Sequence, residues 1–420
     1  MNVRRSAAVL AATAVIGAAV APAAHADDAS PSPSTALPSG LYGTGDPTYD
    51  GVWRQSLALL AQDTMGVNPA AKAVDWLTGQ QCESGAFAPY RADASAKCDA
   101  KTMVDTNSTA AAVQALEALG GHDSVTGAAV KWLKSVQNKD GGWGYTPGGA
   151  SDTNSTAVVI GALVAAGTDP EDVPSKDDKT PYDALLALTV PCDEDGGGAF
   201  AFQPDKKGKV AANADATAAG VSGSLGKGLA PGAGKAGAAA QGSECSDGDS
   251  FTPRIAAGNG ARYLADALAE DGRLTTPLAG AKVDQPDYGN TADAVVALAA
   301  AGFVSETKKP LAWLEKNSAS WAEKSGPAAY AQLIFAARAA GADPRDFGGA
   351  DLVEQLNATG PAPAAAGSAA TPSGDEKKKD EKDEKDDDGG MGVWWFVGVC
   401  LVAGIGIGFL ISGRNRKNRP

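Results

Sequence analysis

Through the middle of the chain, Ala-rich stretches with almost no polar residue alternate with stretches whose apolar residues recur at helical spacing. Most of the first kind open on a polar head. Asp105-Thr106-Asn107-Ser108-Thr109 leads into Ala110 to Leu116, and the same five residues return as Asp152-Thr153-Asn154-Ser155-Thr156 before Ala157 to Leu163. Weaker heads stand at Asn213-Ala214-Asp215-Ala216-Thr217 and Asp287-Tyr288-Gly289-Asn290-Thr291, and Ala328 to Gly341 repeats the apolar body without the head. Asp, Asn, Ser and Thr satisfy the free N–H groups at a helix start, and Gly120, Gly167, Gly302 and Gly341 mark the stops. A helix that is apolar all round is buried all round, so these stretches predict an inner layer.

The second kind is amphipathic and suits an outer layer: Trp76 to Gln81, Trp132 to Gln137, Tyr263 to Leu268, and Trp313 to Lys316. Three of them run into a glycine turn at a fixed offset. Gly85, Gly141 and Gly272 lie nine residues after the leading aromatic, and the large residues Phe87, Trp143 and Leu274 lie eleven after it. Outer helix, glycine turn and inner helix, repeated, predict an all-α fold: a closed α/α toroid of five or six helical hairpins over residues 41–357. The Gly- and Ala-rich stretch 205–243 breaks the period and is expected to be an irregular insertion, either a flap or a slack loop.

Trp132-Leu133-x3-Gln137-x3-Gly141-Gly142-Trp143 resembles the QW-type repeat of squalene–hopene cyclases and prenyltransferase β-subunits. That (α/α)6 superfamily also contains the cobalamin carriers. The resemblance spans about Trp53 to Gly341 and implies a central cavity; the superfamily's activities are diverse, so it does not choose among them.

The two ends add a compartment. Arg4 and Arg5, an apolar run and Ala24-His25-Ala26 make residues 1–26 a secretory signal, followed by a flexible segment, 27–40. Near the other end, Val393 to Ile411 carries no charge and is followed by a basic tail, 414–420. At about 1.5 Å per residue that run reaches about 28 Å, enough for one transmembrane helix, 391–413. The basic tail belongs in the cytoplasm and the body outside. Residues 358–390, Pro/Ala-rich and then densely charged, predict a disordered stalk. The net charge of −14 argues against nucleic acid as a partner. Four external cysteines allow three pairings. The local one, Cys82 with Cys98 and Cys192 with Cys245, is expected because each pair brackets one loop; free thiols or a metal site are the alternatives.

Cyclases of this superfamily protonate a polyene with an Asp inside an Asp-x-Asp-Asp-Thr-Ala motif. Here Asn107 and Asn154 stand at the acid position, and an amide cannot donate that proton. Asp215 falls on that position in the weaker third head. No zinc site of the prenyltransferase type is legible, so no catalytic or metal-binding residue is assigned. Helix capping explains part of the heads. The repeated Asn exceeds what a cap needs, and inner-helix starts surround the cavity mouth in this superfamily. The expected ligand contacts are therefore Asp105, Asn107, Asp152 and Asn154, with Tyr145, Phe87, Tyr90, Phe200 and Phe202 from the glycine-rich turns. The resemblance to cobalamin carriers, which share the Asp-Thr start, implies a corrinoid as one possible cofactor-like ligand.

The expectation is a membrane-held extracellular binding protein that captures a small organic ligand, hydrophobic or corrinoid-like, and passes it to an uptake transporter. The alternatives are an extracellular enzyme on terpenoids or glycans, using acids such as Asp140, Asp193, Glu194 or Asp195, and a scaffold for another protein.

Overall fold

The computed structural model describes residues 37–235, 244–248, 251–277 and 284–365. The expected signal, membrane span and basic tail, and most of the expected stalk, lie outside the described residues. No helix among the described residues is long and apolar enough to cross a membrane.

Among the described residues the fold is all-α apart from one short hairpin, β1 (Leu274–Thr276) with β2 (Gln285–Asp287). Six buried helices form the inner layer: α1 (Gly51–Thr64), α3 (Thr106–Leu119), α5 (Thr153–Ala165), α7 (Ala214–Ser224), α9 (Tyr288–Ala300) and α12 (Pro327–Ala340). Each packs on the next in that order, and α12 packs on α1, so the layer closes into a ring. Outside lie α2 (Ala71–Gly79), α4 (Asp123–Ser135), the short α6 (Pro181–Leu186), α8 (Pro253–Ala269), α10 (Lys308–Asn317), α11 (Ala319–Ser325) and α13 (Leu352–Ala358). Each outer helix except α11 packs on the inner helix before it in the chain; α11 packs on α12, which follows it, and on α10.

Small side chains allow this closure. Most of α5, α9 and α12 is Ala, Val and Gly, and a Cβ on Gly223 of α7 would stand 2.8 Å from the Ala157 side chain of α5. The stretch 205–243, read above as an irregular insertion, contains α7 itself. Its glycines and alanines are the small residues of an inner helix.

The glycine turns are built alike. The N–H of the large turn residue donates to the threonine that ends each head: Phe87 to Thr109 Oγ1 (2.9 Å), Trp143 to Thr156 (3.1 Å), Phe200 to Thr217 (3.0 Å) and Leu274 to Thr291 (2.9 Å). The turn glycines take positive φ, and a Cβ on Gly85 or Gly141 would fall about 2 Å from a carbonyl oxygen of the next outer element, at Ala128 or Thr180. The glutamine of the repeat bolts neighbours together. Gln81 Nε2 donates to the carbonyls of Gly85 and Val125, and Gln137 Nε2 to those of Gly141 and Val173.

Both disulfides are the local ones expected, Cys82–Cys98 and Cys192–Cys245. Beyond residue 357, where the stalk was expected to begin, the chain is still held: Thr359 and Pro361 carbonyls accept from Gly43 N–H and Tyr42 Oη, and Ala364 N–H reaches Asn68.

Candidate functional site

The heads cap as their composition requires. Asp105, Asp152 and Asp287 each accept from the N–H three residues on, and Asn213 does the same for α7. The fifth residue, threonine, holds the turn. The second helix-start device comes from the neighbour: carbonyls of Pro89, Tyr145 and Phe202 accept the N–H of Val52, Thr106 and Thr153, in the first turns of α1, α3 and α5 respectively. The head end of the ring is therefore one interlocked rim.

The third head residue has no such duty. It is Asn107 in α3, Asn154 in α5, Asp215 in α7 and Gly289 in α9. Asn154 Nδ2 donates to Asp215 Oδ2 at 2.9 Å. One turn farther in, Gln332 of α12 donates to Asp293 Oδ2 of α9 at 3.1 Å. Asp215, Asp287 and Asp293 remain partly accessible to water although protein surrounds them closely, as expected of side chains lining an internal opening.

This setting disfavours charge. Burial, reinforced by the Asp215 and Asp287 carboxylates, lifts Asp293 to about 8 against the pull of Gln332. Burial, with Asp287 and Asp152 nearby, lifts Asp215 to about 6, which Asn154 partly counters. Asp105 and Asp152 are also raised by burial to about 6, although N–H groups of their own helix starts bond to them. Tyr145 lies between these two heads: its hydroxyl is raised by burial and by Asp105, and its N–H reaches Asp152.

Several buried oxygens at two adjacent heads have no hydrogen-bond partner. They are Thr106 Oγ1, Asn107 Oδ1 and Asn154 Oδ1, together with the second oxygen of Asp105. An aromatic cluster joins α9 to the outer helices α10 and α11, with Arg273 over its Trp313 ring at 5.9 Å. Tyr288 stacks on Trp313 (5.0 Å) and Trp321 (5.5 Å), and Gly289 leaves room for Gln332 and Trp321.

The opposite end is crossed by residues 225–235. Leu229 N–H donates to Gln114 Oε1 of α3 (2.8 Å), Gly228 lies against Gly161 of α5, and Gly234 N–H donates to Ala339 of α12 while touching Ala299 of α9. In a six-helix ring α3 and α9 are opposite walls, so this strap spans the opening.

Of the residues expected from the sequence, the structure brings together Asp105, Asn107, Asp152, Asn154 and Tyr145 at the rim. Phe202 is half-buried there and contributes its carbonyl to α5. Phe87 and Phe200 are elsewhere: both are wholly buried, in the turn position that Trp143 fills in its own repeat. Tyr90 stacks on Trp76 of α2. Asp140 is occupied in its own turn by Gly142 N–H and Ser151 Oγ, while Glu194 pairs with Lys209 at 2.9 Å and Asp193 and Asp195 are exposed. Sequence reasoning missed Asp293 and Gln332. Their signal was a polar residue inside an otherwise apolar inner helix.

No family model matches the chain. A stretch of 42 residues is 55% identical to drimenyl diphosphate synthase of Streptantibioticus cattleyicolor, covering 10% of this chain and 8% of that enzyme. Among solved structures, a protein from Actinoplanes aligns at 15% identity with a TM-score of 0.45, over 72% of this chain and 94% of its own. A sugar epimerase from a ruminal bacterium aligns at 15% with a TM-score of 0.40, over 69% and 80%.

Proposed function

We propose that this chain is a binding protein that takes a small organic molecule into the head end of its helix ring. The observation that carries this reading is the group of unpartnered buried oxygens at the heads of α3 and α5. Leaving a buried polar atom without a hydrogen bond costs about 1–3 kcal/mol. Several such atoms beside partly accessible Asn154, Asp215 and Asp293 describe a surface whose partners arrive with a ligand. The strap across the far end makes the ring a one-mouthed cup. The sequence ends support an exported body tethered by residues 391–413, delivering its ligand to an uptake transporter, and the resemblance to cobalamin carriers keeps a corrinoid among the candidates.

Non-denaturing mass spectrometry of the full chain purified from its own host tests this. The expected result is an adduct of small-molecule mass that disappears in the Asn107→Ala/Asn154→Ala double variant. A chain that carries no adduct, or keeps it in the variant, speaks against the reading.

A second reading, an enzyme acting on terpenoids, is favoured by Asp293 specifically. A carboxyl that titrates near 8 is a proton donor at neutral pH, and the local identity is to a terpenoid synthase. Incubation with a linear polyprenyl diphosphate should then give a cyclised product that Asp293→Asn abolishes; unchanged substrate removes this reading.

A further inference from the structure

Two independent features of the mouth agree on the chemistry of what it holds. The first is the character of the unpartnered atoms. Asn107 Oδ1, in a side chain more than nine-tenths buried, and Asn154 Oδ1 are acceptors and need donors; Thr106 Oγ1, unpartnered beside them, is a hydroxyl that can donate or accept. Asn107, Asn154 and Asp215 occupy the same position on three successive inner helices, so the two amide oxygens stand in one row with the Asp215 carboxyl.

The second feature is a cluster of acids whose partners, among the described residues, are other acids and neutral amides. The charges bearing on Asp215 are those of Asp287 on α9 and Asp152 at the α5 head; those bearing on Asp293 are Asp215 and Asp287. No basic residue is among these charges, and Arg273, just before β1, is turned to Asp271 (3.4 Å) and the Trp313 ring (5.9 Å). The polar partners are the neutral Asn154 and Gln332. Carboxyls that repel one another hold their protons to higher pH, and a positive charge among them favours their release.

Resting on the binding reading above, we infer that the molecule held in the mouth is an organic cation: an amine whose N–H groups meet Asn107 Oδ1 and Asn154 Oδ1 and whose charge lies against Asp215 and Asp293. Its entry releases the proton that Asp293 holds, so binding tightens as pH rises.

Calorimetry of the full chain with 1-adamantylamine, 1-adamantanol and 1-adamantanecarboxylate, at pH 5 and pH 8, separates the possibilities. The three share one apolar body and differ in charge. The amine is expected to bind at least tenfold more tightly than the other two at pH 8, and at least tenfold more weakly at pH 5 than at pH 8. Asp215→Asn and Asp293→Asn, near-isosteric changes whose folding is checked by melting temperature, should each weaken the amine at least tenfold and leave the alcohol unchanged. Equal binding of alcohol or carboxylate, or amine binding indifferent to pH or to both variants, overturns the cation inference and leaves the binding reading standing. Failure of all three probes at both pH values counts against both.

Discussion

The side-chain amide of Asn154 donates to Oδ2 of Asp215 across 2.9 Å, joining the third head residues of two neighbouring inner helices. In the first two repeats that position is Asn, and in the third it is Asp, so a row of amides ends on an acid. Donation from Asn154 favours the charged form of Asp215 and counters part of the effect of burial. Asn154→Ala should therefore raise the pKa of Asp215 further above about 6, read from its carboxyl carbon shift in an NMR titration. An unchanged or lowered value would contradict the pairing.

The raised acids also set the pH dependence of stability. A carboxyl whose pKa is higher in the folded than in the unfolded chain holds its proton more tightly when folded. Its contribution is complete below the unfolded value near 4 and is lost as pH rises through the folded value. For Asp105, Asp152 and Asp215 that loss begins near 4 and is complete by about 6, and for Asp293 it continues to about 8. The melting temperature should fall from pH 5 to pH 8.5. Asp293→Asn should remove the upper part of that fall and make the protein more stable at pH 8.5; a flat profile would show that these carboxyls are solvated.

Thr156 tests the structural half of the head. It is wholly buried, and its hydroxyl accepts the Trp143 N–H at 3.1 Å. Thr156→Val keeps the shape and leaves that N–H unmet, at an expected cost of about 1–3 kcal/mol in denaturant unfolding. Ligand affinity should change little, because threonine holds the turn while the third residue faces the mouth. A loss of affinity with no loss of stability would reverse those assignments.

Gly161 tests the strap. Alanine normally stabilises a helix interior by up to about 1 kcal/mol over glycine. Here the added Cβ would stand 2.8 Å from Gly228 Cα and 2.9 Å from Gln114 Nε2. Gly161→Ala should destabilise by about 1–3 kcal/mol, in the range of overpacked cores, and speed hydrogen exchange of the Leu229 amide. Stabilisation with exchange unchanged would mean that the strap does not lie on α5.

Much of the fold was legible because it repeats. Two near-identical heads, three equal glycine offsets and all-apolar helices require a buried layer and an exposed one, and the disulfides followed from which loops the cysteines bracket. The Phe200 turn, read as glycine-rich, fell outside the fixed offset because the residues bridged across it are eleven apart, Thr189 and Phe200, against six for Gln81 and Phe87. The head of its helix, α7, was legible at Asn213 to Thr217, but the body was obscured by glycine, which is weak as a helix former yet necessary where Gly220 meets Phe200 and Gly223 meets Ala157. At the site, an aromatic after a glycine turn did not distinguish a rim residue from a core plug; Phe87 and Phe200 are plugs because they occupy the Trp143 position. Asp293 and Gln332 come together only across two helices far apart in sequence.

The central claim is that the unpartnered oxygens of the mouth are completed by a ligand. High-resolution crystallography of the full chain isolated from its own host examines those atoms directly. The account predicts density for an organic molecule within hydrogen-bond distance of Asn107 Oδ1 and Asn154 Oδ1. Ordered water alone on Thr106, Asn107 and Asn154 would contradict it and make the heads purely structural.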